Sequence, residues 1–282
     1  MTCKTSSVNL IERGPRDHDA VIGRFVELCS ADERIVAAFL GGSHARGEAD
    51  EYSDLDLCLI TTDEAFEEVV AGGAAIIEQL GEPLFLEDFG LEDEVFFILA
   101  DGTEAELFVR RMSGLHEIHD VGPYRALLDK GGVLAGAEFP WREPDRAEQA
   151  EALRRVLYWF WHDLSHFIAA VGRGQLWWAY GQLEVLRGYY VNLIRIKQKV
   201  EAQEEAYEKL DQAIVTSPLS ALLTTFCPME KRAMLRAVGE VVNLYRERAP
   251  VVASAYGLTY PAELERLMCN RLDELAQDSR LR

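Results

Sequence analysis

A run of sixteen residues, Gly41-Gly42-Ser43-His44-Ala45-Arg46-Gly47-Glu48-Ala49-Asp50-Glu51-Tyr52-Ser53-Asp54-Leu55-Asp56, sets a glycine turn able to hold a phosphate just ahead of two alternating carboxylates. Glycines let backbone N–H groups come close to a polyphosphate, Ser43 adds a hydroxyl donor and Arg46 a positive charge. On a strand, residues two apart share a face, so Asp54 and Asp56 project side by side. Two adjacent carboxylates repel each other, and a divalent cation removes the conflict. Gly42, Ser43 and Arg46 therefore read as triphosphate-binding residues, and Asp54 and Asp56 as metal ligands. Together they are the parts of a metal-dependent nucleotidyl-transfer site. The competing reading is an acidic surface loop followed by an ordinary strand.

A two-metal transfer calls for a third acid, as ligand or as base for the acceptor hydroxyl. The stretch Thr103-Glu104-Ala105-Glu106-Leu107-Phe108-Val109 has strand composition and follows an Asp101-Gly102 turn. Glu106 is the choice within it, because it has apolar neighbours and a carboxylate deep in such a run must be paired or bound to metal. Glu104, nearer the turn, reads as solvated. Glu94 and Asp101 are alternatives.

The elements that would position these groups can be read in outline. Ile35-Val36-Ala37-Ala38-Phe39-Leu40 is an apolar strand ending in Gly-Gly, and Asp54 to Ile60 begins with the alternation of a second strand. Asp19 to Cys29 and Thr62 to Leu80 read as amphipathic helices. A connector follows, Leu134 to Arg146, with Pro140 and Pro144. Beyond it nearly everything is helical: Ala147 to Val171, Gln175 to Lys199, Glu201 to Val215, Pro228 to Arg248 and Pro261 to Ala276. The expected fold class is α+β, with a domain of strands and helices over 1–140 that carries the catalytic candidates, followed by an α-helical bundle over 146–282.

The sixteen-residue stretch resembles the signature of the polymerase-beta-like nucleotidyltransferases, in which a Gly-Ser turn at a helix start precedes an Asp-x-Asp pair on the next strand. The resemblance implies a third acid on a later strand, as Glu106 supplies, and Mg²⁺ as the metal, two ions in all. The layout of catalytic domain and helical bundle looks most like the lincosamide and aminoglycoside nucleotidyltransferases, which implies a mixed sheet in the catalytic domain over 1–140 and a bundle over 146–282 that binds the acceptor. Weaker matches lie at Asp32-Glu33-Arg34-Ile35, Arg173-Gly174 and Leu193-Ile194-Arg195. Membership would imply transfer of AMP from ATP to a hydroxyl of an antibiotic, with release of pyrophosphate and pairing into a homodimer. A protein or another metabolite as acceptor is the nearest alternative.

Charge separates the two halves. Of the net charge of −19, all falls before residue 145, where 11 Lys and Arg face 30 Asp and Glu; the remainder carries 18 of each. Between Arg46 and Arg110 there are 19 acids and no Lys, Arg or His. Such a surface repels a nucleic-acid backbone and draws in metal ions and cationic small molecules. The five cysteines, Cys3, Cys29, Cys58, Cys227 and Cys269, are scattered and form no Cys-x-x-Cys pair. With no signal-peptide core and no membrane span, the expectation is a cytoplasmic protein with no membrane partner.

The helical half is rich in aromatics: Tyr158-Trp159-Phe160-Trp161-His162-Asp163 and, further on, Trp177-Trp178-Ala179-Tyr180. Trp159, Glu184 and Tyr189 are candidate acceptor-binding residues, against which core packing and a salt bridge are the simpler accounts. His162 and His166 share a helix face at a spacing that permits metal binding, but no third ligand is evident and satisfied histidines are the plainer reading. Arg155 and His162 resemble the spacing of the Arg-x(4-6)-His ribonuclease motif of HEPN domains, which gives a toxin–antitoxin-like interaction protein as the reading from another class.

Overall fold

The computed structural model describes residues 16–118, 121–140, 145–198, 207, 209–213 and 216–277. The chain divides into two compact units, Met1–Glu143 and Pro144–Arg282.

The first unit is built on a six-stranded mixed sheet. Its strands are β1 (Ile35–Leu40), β2 (Leu55–Thr61), β3 (Pro83–Glu87), β4 (Glu94–Leu99), β5 (Glu104–Arg111) and β6 (Arg125–Asp129), in the order β3-β4-β5-β2-β1-β6. Only β2 and β5 run parallel; every other neighbouring pair is antiparallel. A parallel pair needs a long crossover, and here it contains α3 (Phe66–Ala71), α4 (Gly73–Leu80) and the β3–β4 hairpin.

Alternation along the central strands separates the two faces of the sheet. Leu55, Leu57 and Leu59 of β2, with Ala105, Leu107 and Val109 of β5, pack with Val21, Ile22 and Phe25 of α1 (His18–Ala31) and with Ile76, Ile77 and Leu80 of α4. Burying each such Leu, Ile or Phe side chain contributes about 1.5–3 kcal/mol. The opposite face carries Phe39, Cys58 and Ile60, covered by Ile118, Leu134 and Phe139 from the segments around β6. This second cover is partial and leaves room above the ends of β1, β2 and β5.

The second unit is helical: α5 (Arg146–Gly172), α6 (Leu176–Gln198), α7 (Leu210–Ala213), α8 (Thr216–Leu223), α9 (Lys231–Ala255) and α10 (Ala262–Gln277). Its core joins Leu157, Phe160, Trp161 and Leu164 of α5 to Leu183 and Leu186 of α6, Val238 and Tyr245 of α9, and Leu272 of α10. Phe160 and Tyr245 stack face to face at 3.6 Å. A capping box starts α5: the Asp145 carboxylate accepts from the Ala147 and Glu148 amides, and the Glu148 carboxylate accepts from the Asp145 amide.

The expected α+β class and the helical C-terminal region are what the structure shows. The helix expected from Pro228 starts at Lys231, α8 lies where no helix was expected, and two further differences have a clear physical cause. The helix expected over Thr62 to Leu80 is two helices, broken at Gly72–Gly73 where the glycines remove helix propensity. The helix expected to stop at Arg248 runs on to Ala255 through Pro250, because Ala249, Val252 and Ala253 bury in the core and offset the proline's lost hydrogen bond. Most of the helix expected over Glu201 to Val215 lies outside the described residues, and Leu210–Ala213 is its described portion.

Candidate active site

The glycine turn and Asp56 meet directly. The Gly41 amide donates to the Asp56 carbonyl at 3.0 Å, which extends the β1–β2 ladder by one pair beyond Leu40 and Leu57. Gly42 follows with φ +53°, and a Cβ built on it would lie 1.8 Å from Oδ2 of Asp56. Two independent constraints therefore require glycine: the left-handed backbone and the carboxylate against it. The short helix α2 (Gly42–Arg46) ends on Gly47 at φ +73°.

Next comes a tight turn that delivers β2. Oγ of Ser53 accepts from the Asp50 amide at 2.9 Å, and Oδ1 of Asp50 accepts from the Tyr52 amide at 2.9 Å and from the Ser53 hydroxyl at 3.2 Å. Asp54 emerges exposed just before the strand, and Asp56 lies half-buried one residue inside it. In the parallel pairing of β2 with β5, Asp56 stands opposite Glu106. Neighbouring strands are about 4.8 Å apart, so these two acids begin from adjacent backbone positions on one face. The same transverse row contains Gly41 on β1's continuation and Phe96 on β4.

The other acids are separated by register and by partners. Glu94 pairs with Phe108, two rows along from Glu106 and on the same face. Asp101 accepts from the Thr103 amide at 2.9 Å and so holds its own turn. Glu104 pairs with Arg16 at 3.2 Å.

A cleft of about 500 Å³ opens over this face. Gly41, Gly42, Asp56 and Cys58 line it together with Phe108, Arg110, Glu117 and Val121. Arg110 is anchored by Asp93 at 2.7 Å, and burial pushes the Cys58 thiol up to about 12, which removes it as a nucleophile. Arg110 was not singled out from the sequence, although its alternation with Glu106 along β5 puts the two on one face. Glu117 and Val121 come from irregular segments whose sequence carries no comparable signal.

Three further features bear on the turn. Oγ of Ser43 is buried and has no hydrogen-bond partner among the described residues. Arg46 donates from Nε to Glu48 at 2.8 Å. His44 packs edge-on against His18, with Nε2 and Nδ1 3.2 Å apart. Its pKa is held below the ordinary imidazole value, first by burial and then by His18 and Arg125, while Asp19 and Asp54 pull the other way.

The candidate acceptor residues lie on the helical unit. Glu184 is the counter-charge of the fully buried Arg187, which also donates to Oγ1 of Thr225 at 2.8 Å and to the Thr225 carbonyl at 2.7 Å. Tyr207 also donates to Glu184, at 3.1 Å. Tyr189 donates its hydroxyl to Asp163 at 2.8 Å, and Trp159 is half-exposed beside His162. Within the aromatic run, Phe160 and Trp161 are core, whereas Tyr158 and Trp159 are exposed. Arg155 is largely exposed and lies 4.0 Å from Glu151.

Among known proteins, residues 16–274 match the family model described as streptomycin adenylyltransferase. No curated protein matches the chain. Two solved structures are similar at 13% identity. One is an aminoglycoside 6-adenyltransferase from Bacillus subtilis, with a TM-score of 0.45 over 93% of this chain and 100% of that one. The other is a nucleotidyltransferase-like protein from Exiguobacterium sibiricum 255-15, with a TM-score of 0.41 over 92% of this chain and 87% of that one. With the family model spanning almost all of its described residues, the chain belongs to the streptomycin adenylyltransferase family and is a nucleotidyltransferase.

Proposed function

We propose that this protein transfers AMP from ATP to a hydroxyl of an aminoglycoside or lincosamide antibiotic, releasing pyrophosphate. The family supports nucleotidyl transfer to an antibiotic. The observation that carries the residue assignment is the row that sets Asp56 opposite Glu106 and against the Gly41–Gly42 turn.

The donor set fits Mg²⁺. Asp54, Asp56 and Glu106 offer carboxylate oxygens, the ligands that hard cation takes, and no soft donor lies among them. Two ions held there would neutralise the triphosphate and lower the pKa of the acceptor oxygen. Around them, the Gly42 turn and the unpartnered Ser43 hydroxyl suit a phosphate oxygen, and Arg46 adds positive charge once it leaves Glu48. Glu106 is placed to receive the acceptor proton or to complete the ligand set. The attacking hydroxyl and the α-phosphorus are thereby held in line, and correct positioning is worth several kcal/mol of barrier.

The acidic first unit favours a cationic acceptor, as an aminoglycoside is, and disfavours nucleic acid. Among the described residues, no helix is long and apolar enough to cross a membrane. A homodimer, a cytoplasmic location and an acceptor-binding role for residues 146–282 belong to the same reading. Within that unit Trp159 is the best placed of the three candidates, because Glu184 is engaged by Arg187 and Tyr189 by Asp163.

Exchange of the acids tests these roles. Asp56→Asn abolishes turnover with an unchanged circular dichroism spectrum, and Glu106→Gln lowers kcat by about 10²-fold or more while the KM for ATP stays within a few-fold. Full turnover by Glu106→Gln would remove that residue from the site.

A further inference from the structure

The two histidines four apart on α5 gain from the fold a third ligand that their spacing alone did not reveal. Asp163 lies between them in sequence and turns its carboxylate to both: Oδ1 is 2.9 Å from Nδ1 of His162 and 3.5 Å from Nδ1 of His166. One ligand atom from each of the three side chains lies within 4.8 Å of the other two. A tetrahedral site with metal–ligand bonds of about 2.1 Å has ligand–ligand edges of about 3.4 Å, a value bracketed by the two separations from Asp163.

The surroundings resemble those of a built site. Asp163 is buried at 9% exposure, and its second oxygen accepts the Tyr189 hydroxyl at 2.8 Å from the neighbouring helix. This bond fixes the carboxylate plane and leaves Oδ1 toward the imidazoles, the kind of outer contact that orients metal ligands. The rings of Trp159 and Trp178 flank His162 and His166, at centroid distances of 4.6 and 5.9 Å. Both histidines are partly exposed, so a cation can reach them from solvent.

We propose that His162, Asp163 and His166 form a second metal site, on the helical unit and with its own ligands, that takes a divalent transition metal of the Zn²⁺ or Co²⁺ class. Two imidazoles and one carboxylate suit such ions and discriminate against Mg²⁺, which takes oxygen ligands. Three protein ligands leave a fourth position for water or a bound molecule. Because imidazole must be deprotonated to ligate, binding releases protons and weakens on acidification.

The test is titration of the chelator-treated full chain with Co²⁺, followed by visible absorption and equilibrium dialysis in excess Mg²⁺, on a background in which Asp54→Asn, Asp56→Asn and Glu106→Gln remove the catalytic carboxylates. The expected result is one Co²⁺ bound per chain, with ligand-field absorption but no thiolate charge-transfer band. His162→Gln and His166→Gln, both at partly exposed positions, abolish that uptake without altering the circular dichroism spectrum, and Tyr189→Phe weakens it about 10-fold. Equal uptake by the histidine variants, a thiolate band, or displacement by Mg²⁺ would overturn the proposal.

Discussion

Gly42 shows how little freedom the site leaves at the level of single residues. Its φ of +53° alone disfavours any other residue by roughly 1–2 kcal/mol, and an added methyl would occupy the space of the Asp56 carboxylate. Gly42→Ala is therefore expected to lose at least 10²-fold in kcat, beyond its effect on stability; a variant that is merely less stable would mean that Asp56 has room to move. His44 supplies a pH test. Its pKa is depressed in the folded state, so the unfolded chain binds the proton more readily, and stability falls as pH drops below about 6.5 toward the folded value. His44→Gln should flatten that part of the curve of denaturation midpoint against pH, and an unchanged slope would place the titration elsewhere. The paired aspartates and the glycine turn were legible because chemistry and spacing coincide within sixteen residues. Asp163 as a partner of His162 and His166 was not, since its rotamer depends on Tyr189 from another helix.

At the level of elements, register does the assembling. Alternation on β2 and β5 was visible in the sequence, and it gives the faces; it does not say that the two strands are parallel neighbours or that Asp56 meets Glu106 and not Glu104. That pairing follows from the length of the crossover and from the hydrophobic set Leu55, Leu57, Ala105 and Leu107, which a shift of one residue would turn away from the helices. Helix positions were more legible, because capping and periodicity are local. The misjudged ends, Gly72–Gly73 and Pro250, are places where propensity and burial oppose each other. The cap of α5 can be tested directly. Asp145→Ala removes the bonds to the Ala147 and Glu148 amides and is expected to lower stability by about 1 kcal/mol, read as a shift in denaturation midpoint. A neutral result would show that this end is held by packing.

For the whole molecule, charge and chemistry point the same way. A first unit that carries the entire excess of −19 surrounds the acids proposed to hold Mg²⁺, and its field concentrates cations, whether metal or aminoglycoside. Charge could suggest the class of acceptor because it is a sum over composition. The particular acceptor depends on shape and on a few polar contacts, which composition does not encode. Mass spectrometry of incubations of the protein with ATP, Mg²⁺ and streptomycin, run beside an Asp56→Asn control, bears most directly on the central claim. The account predicts a product heavier than streptomycin by one AMP, with pyrophosphate released in equal amount and neither formed by the control. An adduct formed equally by the control would contradict the assignment of the site, and no adduct with streptomycin, other aminoglycosides or lincosamides would contradict the proposed acceptor class.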